Sequence, residues 1–167
     1  MNKTTAAVLA IFLTVFIPAS LAAQGTQVAF GAFSHDPTLP VEITADALRV
    51  NQADGSAEFR GNVEIGQGEM RMSAELVRVE YATGEDATGQ ISRLIASGGV
   101  TLVSGAEAAE AQSAVYSIDD ATITMTGGVL LTQGQNALSA DRLIVDLRSG
   151  TGRLEGRVKT ILQTDSK

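Results

Sequence analysis

The sequence predicts an all-β protein whose strands form a curved, twisted antiparallel sheet. One sequence unit occurs four times along the 167 residues at a nearly fixed period, which is typical of repeat architectures. Within each unit, apolar and polar residues alternate with the period of two that is typical of a strand with one face in water. After residue 24, glycine is plentiful and no apolar stripe with helical spacing persists, so helices are not expected.

Each unit is defined by two short anchors. The first is an alanine followed by an acidic or amide residue, and the second is a glycine followed two positions later by a valine. The first anchor ends at Asp46, Glu75, Gln112 and Asp141, and the second ends at Val63, Val100, Val129 and Val158. Successive first anchors lie 29 residues apart in two cases and 37 in the third, so the second unit carries extra residues. These are predicted to form a loop at 82–90, where the sequence reads ATGEDATGQ.

The apolar pattern changes phase at the first anchor. In the first unit the apolar positions change from Val41, Ile43 and Ala45 to Leu48 and Val50, and the second unit changes in the same way. Because a one-residue slip turns every side chain to the other face of a sheet, a repeated phase change predicts a repeated bulge. Four bent hairpins joined by their edges are therefore expected.

Residues 1–23 have the order of features that is typical of a secretory signal peptide. Lys3 provides the positive charge, an apolar run follows, and small residues precede a cleavage site after Ala22 or Ala23. The alternative is an uncleaved membrane anchor, but the apolar run is shorter than the roughly 20 residues that a spanning helix needs. We therefore expect an exported protein with a signal peptide at 1–23, a leading arm at 24–39, one β-domain at 40–163 and a short tail at 164–167.

The composition argues against several functional classes. The formal net charge is −7, whereas nucleic-acid binding needs clustered Lys and Arg. There is no cysteine, and the one histidine, His35, lies in the leading arm without His or Cys partners for a metal. Asp46, Glu75 and Asp141 recur at one position of the repeat, which indicates a structural role rather than acid–base catalysis. We expect neither an enzyme nor a protein with a metal or cofactor.

Several of these motifs together resemble the LptA/OstA-like family of periplasmic lipopolysaccharide-transport proteins. The resemblance covers roughly residues 38–162 and is carried by PVEITAD at 40–46, GNVEI at 61–65, MSAE at 72–75 and SADRL at 139–143. It implies a β-jellyroll of stacked, twisted antiparallel strands with open ends, and a hydrophobic groove for the acyl chains of lipid A. It also implies a periplasmic bridge that carries lipopolysaccharide from the inner to the outer membrane. The implied partners are an LptC-like protein at the inner membrane, an LptD-like protein at the outer membrane and further copies docked head to tail.

Lipid contact is expected at apolar positions that face the interior of the sheet. These positions are Val41, Phe59, Val63, Leu102, Tyr116, Ile118, Val129 and Leu131, and the resemblance points most directly to Val41, Leu102, Tyr116 and Ile118. The alternative is that these side chains pack a core without a ligand, since both uses call for the same residue types. Tyr116 holds the repeat position of Val50, Val79 and Val145, so its hydroxyl needs a partner or an opening to water.

Other functions remain open from the sequence. The chain could be an LptC-like member of the same family, although such proteins usually keep their membrane anchor. It could be a structural β-repeat protein that assembles through its edges without binding lipid. A parallel β-helix that binds carbohydrate is a further alternative, which the phase changes and hairpin turns disfavour.

Overall fold

The computed structural model describes residues 26–29, 36, 38–83 and 89–162, and the strands among them form a single eleven-stranded sheet. The strands are β1 (Thr26–Ala29), β2 (Glu42–Thr44), β3 (Ala47–Asn51), β4 (Ser56–Gln67), β5 (Met70–Tyr81), β6 (Ile91–Ser104), β7 (Glu107–Ser117), β8 (Thr122–Gln133), β9 (Asn136–Asp146), β10 (Thr151–Glu155) and β11 (Lys159–Ile161). The signal peptide, His35 and residues 164–167 lie outside the described residues.

The strand order follows the chain from β4 to β10. It runs β1-β10-β9-β8-β7-β6-β5-β4-β2, with β3 beside β2 on β4 and β11 beside β10 on β9, and every one of these pairings is antiparallel. The predicted stack of four antiparallel hairpins is therefore confirmed, and the antiparallel pairing rules out the parallel β-helix. The extra residues of the second unit lie between β5 and β6, as the spacing predicted.

Each first anchor meets the second anchor of the same unit across a pair of strands. All five pairings from β4–β5 to β8–β9 shift register where these anchors lie, which confirms the repeated bulge. Gly98 and Gly127 adopt φ values of +87° and +90°, which L side chains rarely tolerate. A Cβ on either glycine would lie 2.7 Å from the Cβ of Glu75 or Gln112, so the glycine lets the two strands approach.

The phase change keeps the apolar side chains on one face of the sheet on both sides of each bulge. On β5, for example, Met72 and Ala74 before the bulge and Val77 and Val79 after it are all buried. The buried apolar side chains of β4 to β10 form one core cluster. Because they come from one face of one sheet, the sheet must curve around them, as in a jellyroll.

The leading arm contributes a strand that the sequence analysis did not predict. Thr26–Ala29 forms β1, which pairs with β10 at the opposite end of the sheet from β2. Among the described residues, no helix has the length and apolar character to cross a membrane.

Candidate lipid-binding site

The interior of the sheet is lined by apolar rows that run across the strands. One row passes through directly paired residues from β4 to β8: Ile65, Met72, Leu102, Ala109 and Leu131. All five side chains are at most 2% exposed. Residues that are directly opposite in a ladder share a face, so the row forms a continuous apolar strip across the sheet.

All eight positions predicted to contact lipid lie in or against this interior. Three of them are partly buried and pack against the core cluster, namely Val41, Phe59 and Ile118. The other five are fully buried within it: Val63, Leu102, Tyr116, Val129 and Leu131. The structure therefore brings all eight predicted positions to one interior.

Tyr116 makes a polar contact across the interior. Its hydroxyl donates a 2.7 Å hydrogen bond to Oε1 of Gln67, although β5 and β6 separate β7 from β4 in the sheet. Gln67 is 1% exposed, and its Nε2 donates a 2.8 Å bond to the backbone carbonyl of Leu39. Burial raises the pKa of the Tyr116 hydroxyl, so the group stays neutral at physiological pH and acts as a donor.

Sequence reasoning missed Gln67, although a signal was present. Gln67 continues the inward-facing phase of Val63 and Ile65 on β4, where a polar side chain at an interior position calls for a buried partner. The Tyr116 hydroxyl was predicted to need a hydrogen-bond partner or an opening to water, and Gln67 is that partner.

The interior meets solvent at the β3 edge of the sheet. Leu48 and Val50 lie opposite Phe59 and Ala57 of β4 and therefore share their inward-facing side. Leu48 is nevertheless 57% exposed and Val50 63% exposed, because β3 has no further described strand beside it. These two residues were not among the predicted lipid contacts, although their phase in the first unit placed them on the inner face.

This apolar interior belongs to a chain that matches a known family. Residues 42–151 match the family described as LptA/(LptD N-terminal domain) LPS transport protein. The chain belongs to this family.

Two further comparisons give a relative in sequence and a similar fold. The chain is 29% identical over 159 residues to an uncharacterised protein of Rhizobium meliloti strain 1021, covering 90% of this chain and 86% of that protein. Its fold is similar to the crystal structure of LptH, described as the LptA homologous periplasmic component of the lipopolysaccharide transport device of Pseudomonas aeruginosa. That match has a TM-score of 0.67 and 14% identity and covers 77% of this chain and 99% of the LptH chain. The predicted β-jellyroll is thereby confirmed.

The recurring carboxylates Asp46, Glu75 and Asp141 lie at the bulges rather than in one pocket. Glu75 on β5 and Asp141 on β9 have three strands between them. Asp46 Oδ2 accepts a 2.8 Å hydrogen bond from Nδ2 of Asn62, and Asp141 pairs with Arg157 at 3.1 Å, so both tie their own bulge together. Within the described ranges, no group of three or more His, Cys, Asp or Glu residues could hold a metal ion.

A polar surface hollow lies at the end of the sheet where β3 turns into β4. It is lined by charged side chains that pair with one another: Arg78 with Asp54 at 3.0 Å and Arg93 with Glu80 at 2.9 Å. Because the guanidinium groups of Arg78 and Arg93 already have carboxylate partners, the hollow offers no unpaired cation to an anionic ligand.

Proposed function

We propose that this protein binds lipopolysaccharide through the acyl chains of lipid A and carries it across the periplasm from the inner to the outer membrane. Three observations support the proposal: the membership of the lipopolysaccharide-transport family, the continuous apolar interior and the opening of that interior at the β3 edge.

The physical need for a covered path follows from the chemistry of the cargo. Each methylene of an acyl chain gains about 0.8 kcal/mol when it leaves water, so a lipid with several chains cannot cross an aqueous compartment unprotected. A sheet whose apolar face runs unbroken across its strands offers one surface along which acyl chains move without entering water.

The exposed pair Leu48 and Val50 is the observation that carries the proposal. A large apolar side chain on the inward face of a sheet is ordinarily covered. Here two such side chains on one strand are more than half exposed. They continue into the partly buried Phe59 and then into the core. Acyl chains that enter at this edge would first contact β3 and then displace contacts between side chains of the interior.

The same role implies export, two membrane partners and end-to-end assembly. The chain would be exported through the signal peptide at 1–23, and its activity would be binding and transfer rather than catalysis. An LptC-like protein would deliver the lipid at the inner membrane and an LptD-like protein would receive it at the outer membrane. Further copies docked end to end would bridge the remaining distance.

Binding of lipopolysaccharide by purified, delipidated protein tests the proposal. Val50→Asp places a carboxylate at the mouth of the interior and should reduce binding at least about tenfold, because burying an unpaired charge costs several kcal/mol. Arg49→Asp on the same strand, with the side chain on the outer face, is the matched control and should bind as the unmodified protein does. Equal binding by the two variants, or no binding by the unmodified protein, would contradict the proposal.

A structural repeat protein without a lipid ligand is the second candidate. The observation that favours it is the complete burial of Leu102 and Tyr116, which leaves the centre of the interior packed by the protein itself. Such a protein would take up no lipopolysaccharide in the same binding measurement but would still assemble through its edges.

A further inference from the structure

The short strand β1 covers an edge that would otherwise end the sheet. It pairs antiparallel with β10, with Thr26 opposite Leu154 and Ala29 opposite Thr151. Beside it, β11 pairs with β9 and has no second neighbour among the described strands. At this end of the sheet, β1 therefore covers the free edge of β10, and the edge of β11 has no described strand beside it.

The register of β1 on β10 repeats the register of β3 on β4. The fourth-unit bulge at Gly156 corresponds to the first-unit bulge at Gly61, so Leu154 of β10 corresponds to Phe59 of β4. Thr26 lies opposite Leu154 just as Leu48 lies opposite Phe59, and Val28 lies opposite Gly152 just as Val50 lies opposite Ala57. β1 thus takes the place that the first strand of a fifth unit would take.

A second copy of the chain carries such a first strand at its own open end. β4 and β10 run in the same direction, because the strands between them alternate. β2 and β3 pair antiparallel with β4, and β1 pairs antiparallel with β10, so all three short strands also run in one direction. A second copy in the same orientation would therefore place β2 and β3 antiparallel to β11 and β10. This contact would also cover Leu48 and Val50, whose apolar side chains are 57% and 63% exposed.

We propose that β1 is an exchangeable occupant of half of the β10–β11 edge, the edge at which the β2–β3 edge of a second copy docks. The proposal rests on the end-to-end docking included in the proposed function and adds the device that controls it. The incoming strands can pair with both β10 and β11, whereas β1 pairs with β10 alone. Docking therefore replaces a short ladder with a longer one.

Exchange of this kind raises the protein concentration that assembly requires. β1 belongs to the same chain as β10, so its effective concentration at the edge is on the order of millimolar or above, and a second copy must compete with it. Dilute protein would keep β1 in place and remain monomeric, and a strand of four residues leaves only a short edge for unwanted strand addition.

Two opposite changes to β1 test the proposal in the full exported chain. Gln27→Pro together with Val28→Pro removes two adjacent amide donors. Successive amides of a strand point to opposite sides, so one of the two faces β10 and its hydrogen bond is lost. This variant should associate at a concentration at least about tenfold lower than the unmodified protein. Sedimentation velocity over a dilution series measures the midpoint, and circular dichroism checks that the fold is kept.

The opposite change locks β1 in place. The chain contains no cysteine, so Gln27→Cys with Arg153→Cys provides one directly opposed pair that a short bis-maleimide reagent can join. The locked protein should stay monomeric at concentrations where the unmodified protein associates. Thr101→Cys with Glu110→Cys, joined in the same way between the inner strands β6 and β7, is the control and should associate normally.

The outcomes separate this inference from the proposed function. Locked protein that associates like its control, or proline variants with an unchanged midpoint, would overturn the exchange of β1 while leaving lipid binding untouched. Failure of all variants to associate at any concentration would overturn the docking site as well. Lipopolysaccharide binding by the monomer is measured independently of both results.

Discussion

The hydroxyl of Tyr116 donates a hydrogen bond of 2.7 Å to Oε1 of Gln67, a residue 49 positions earlier in the chain. Tyr116 lies on β7 and Gln67 at the end of β4, and the two strands do not pair with each other. The bond therefore connects two parts of the sheet through the apolar interior. Any acyl chain that passes between them must displace or bypass this contact.

Tyr116→Phe should lower the free energy of unfolding by about 1–3 kcal/mol, because it leaves the buried Oε1 of Gln67 without this donor. Urea unfolding followed by circular dichroism measures the change. Tyr81→Phe is the matched control, because Tyr81 is 37% exposed whereas Tyr116 is completely buried. The control should change stability by no more than about 0.5 kcal/mol, and equal effects of the two changes would contradict the assignment.

Much of the fold could be predicted because the same pattern of anchors and apolar positions occurs in four units. The phase change at Ala74 and Glu75 predicts a bulge, and Gly98 allows it by bringing the opposite strand close to Glu75. The pairing of β1 with β10 could not be predicted in this way. Four residues carry too short a pattern, and the partner strand lies near the other end of the sequence.

The residues of the candidate site could be predicted, but not which of them are exposed to solvent. Val50 and Val145 hold the same position in the repeat, so the alternation pattern assigns both to the inner face. Val145 is completely buried whereas Val50 is 63% exposed, since β9 lies between two strands and β3 lies at an edge. Which inner position meets water depends on the place of its strand in the sheet, and a local pattern does not contain that information.

Gly98→Ala should destabilise the protein more than Gly99→Ala. Both glycines have a similar backbone conformation, with φ of +87° and +86°, so the strain from adding a Cβ in the left-handed region is common to both. Only at Gly98 would the new Cβ lie 2.7 Å from another atom, the Cβ of Glu75, whereas at Gly99 nothing lies within 4 Å. We expect about 1 kcal/mol for Gly99→Ala and about 1–3 kcal/mol more for Gly98→Ala, measured by urea unfolding.

The glycine prediction has an internal check. Glu75→Gly removes the Cβ that the alanine at 98 would meet, so it should lessen the additional cost of Gly98→Ala in a double-mutant cycle. If the two glycine variants lose equal stability, close approach of the strands plays no part.

Asp146 should make part of the stability depend on pH. Its carboxylate accepts 2.9 Å hydrogen bonds from the backbone amides of Ser149 and Arg148 at the turn between β9 and β10, and these bonds lower the pKa of Asp146. A lowered pKa in the folded state means that the unfolded state binds the proton more readily, so this stabilisation is lost as the pH falls below about 4. Asp146→Asn should therefore be less stable than the unmodified protein at pH 7, and the difference should narrow in acid.

Urea unfolding at about pH 7 and about pH 3 measures this effect. Asp119→Asn is the control, because Asp119 accepts the 2.6 Å bond from Arg148 with its backbone carbonyl rather than with its carboxylate. The control should follow the unmodified protein at both pH values. A difference between Asp146→Asn and the unmodified protein that grows in acid would contradict the sign of the pKa shift.

Photocrosslinking in living cells tests the central claim, that lipopolysaccharide occupies the interior of the sheet. Phe59 faces inward and packs against the core, whereas the next residue, Arg60, is exposed on the outer face. A photoreactive residue at position 59, and one at the buried position 116, should form adducts with lipopolysaccharide on irradiation, while one at position 60 should form none. Adducts at position 60 as abundant as those at 59, or none at 59 and 116 in protein shown to be folded, would contradict the account.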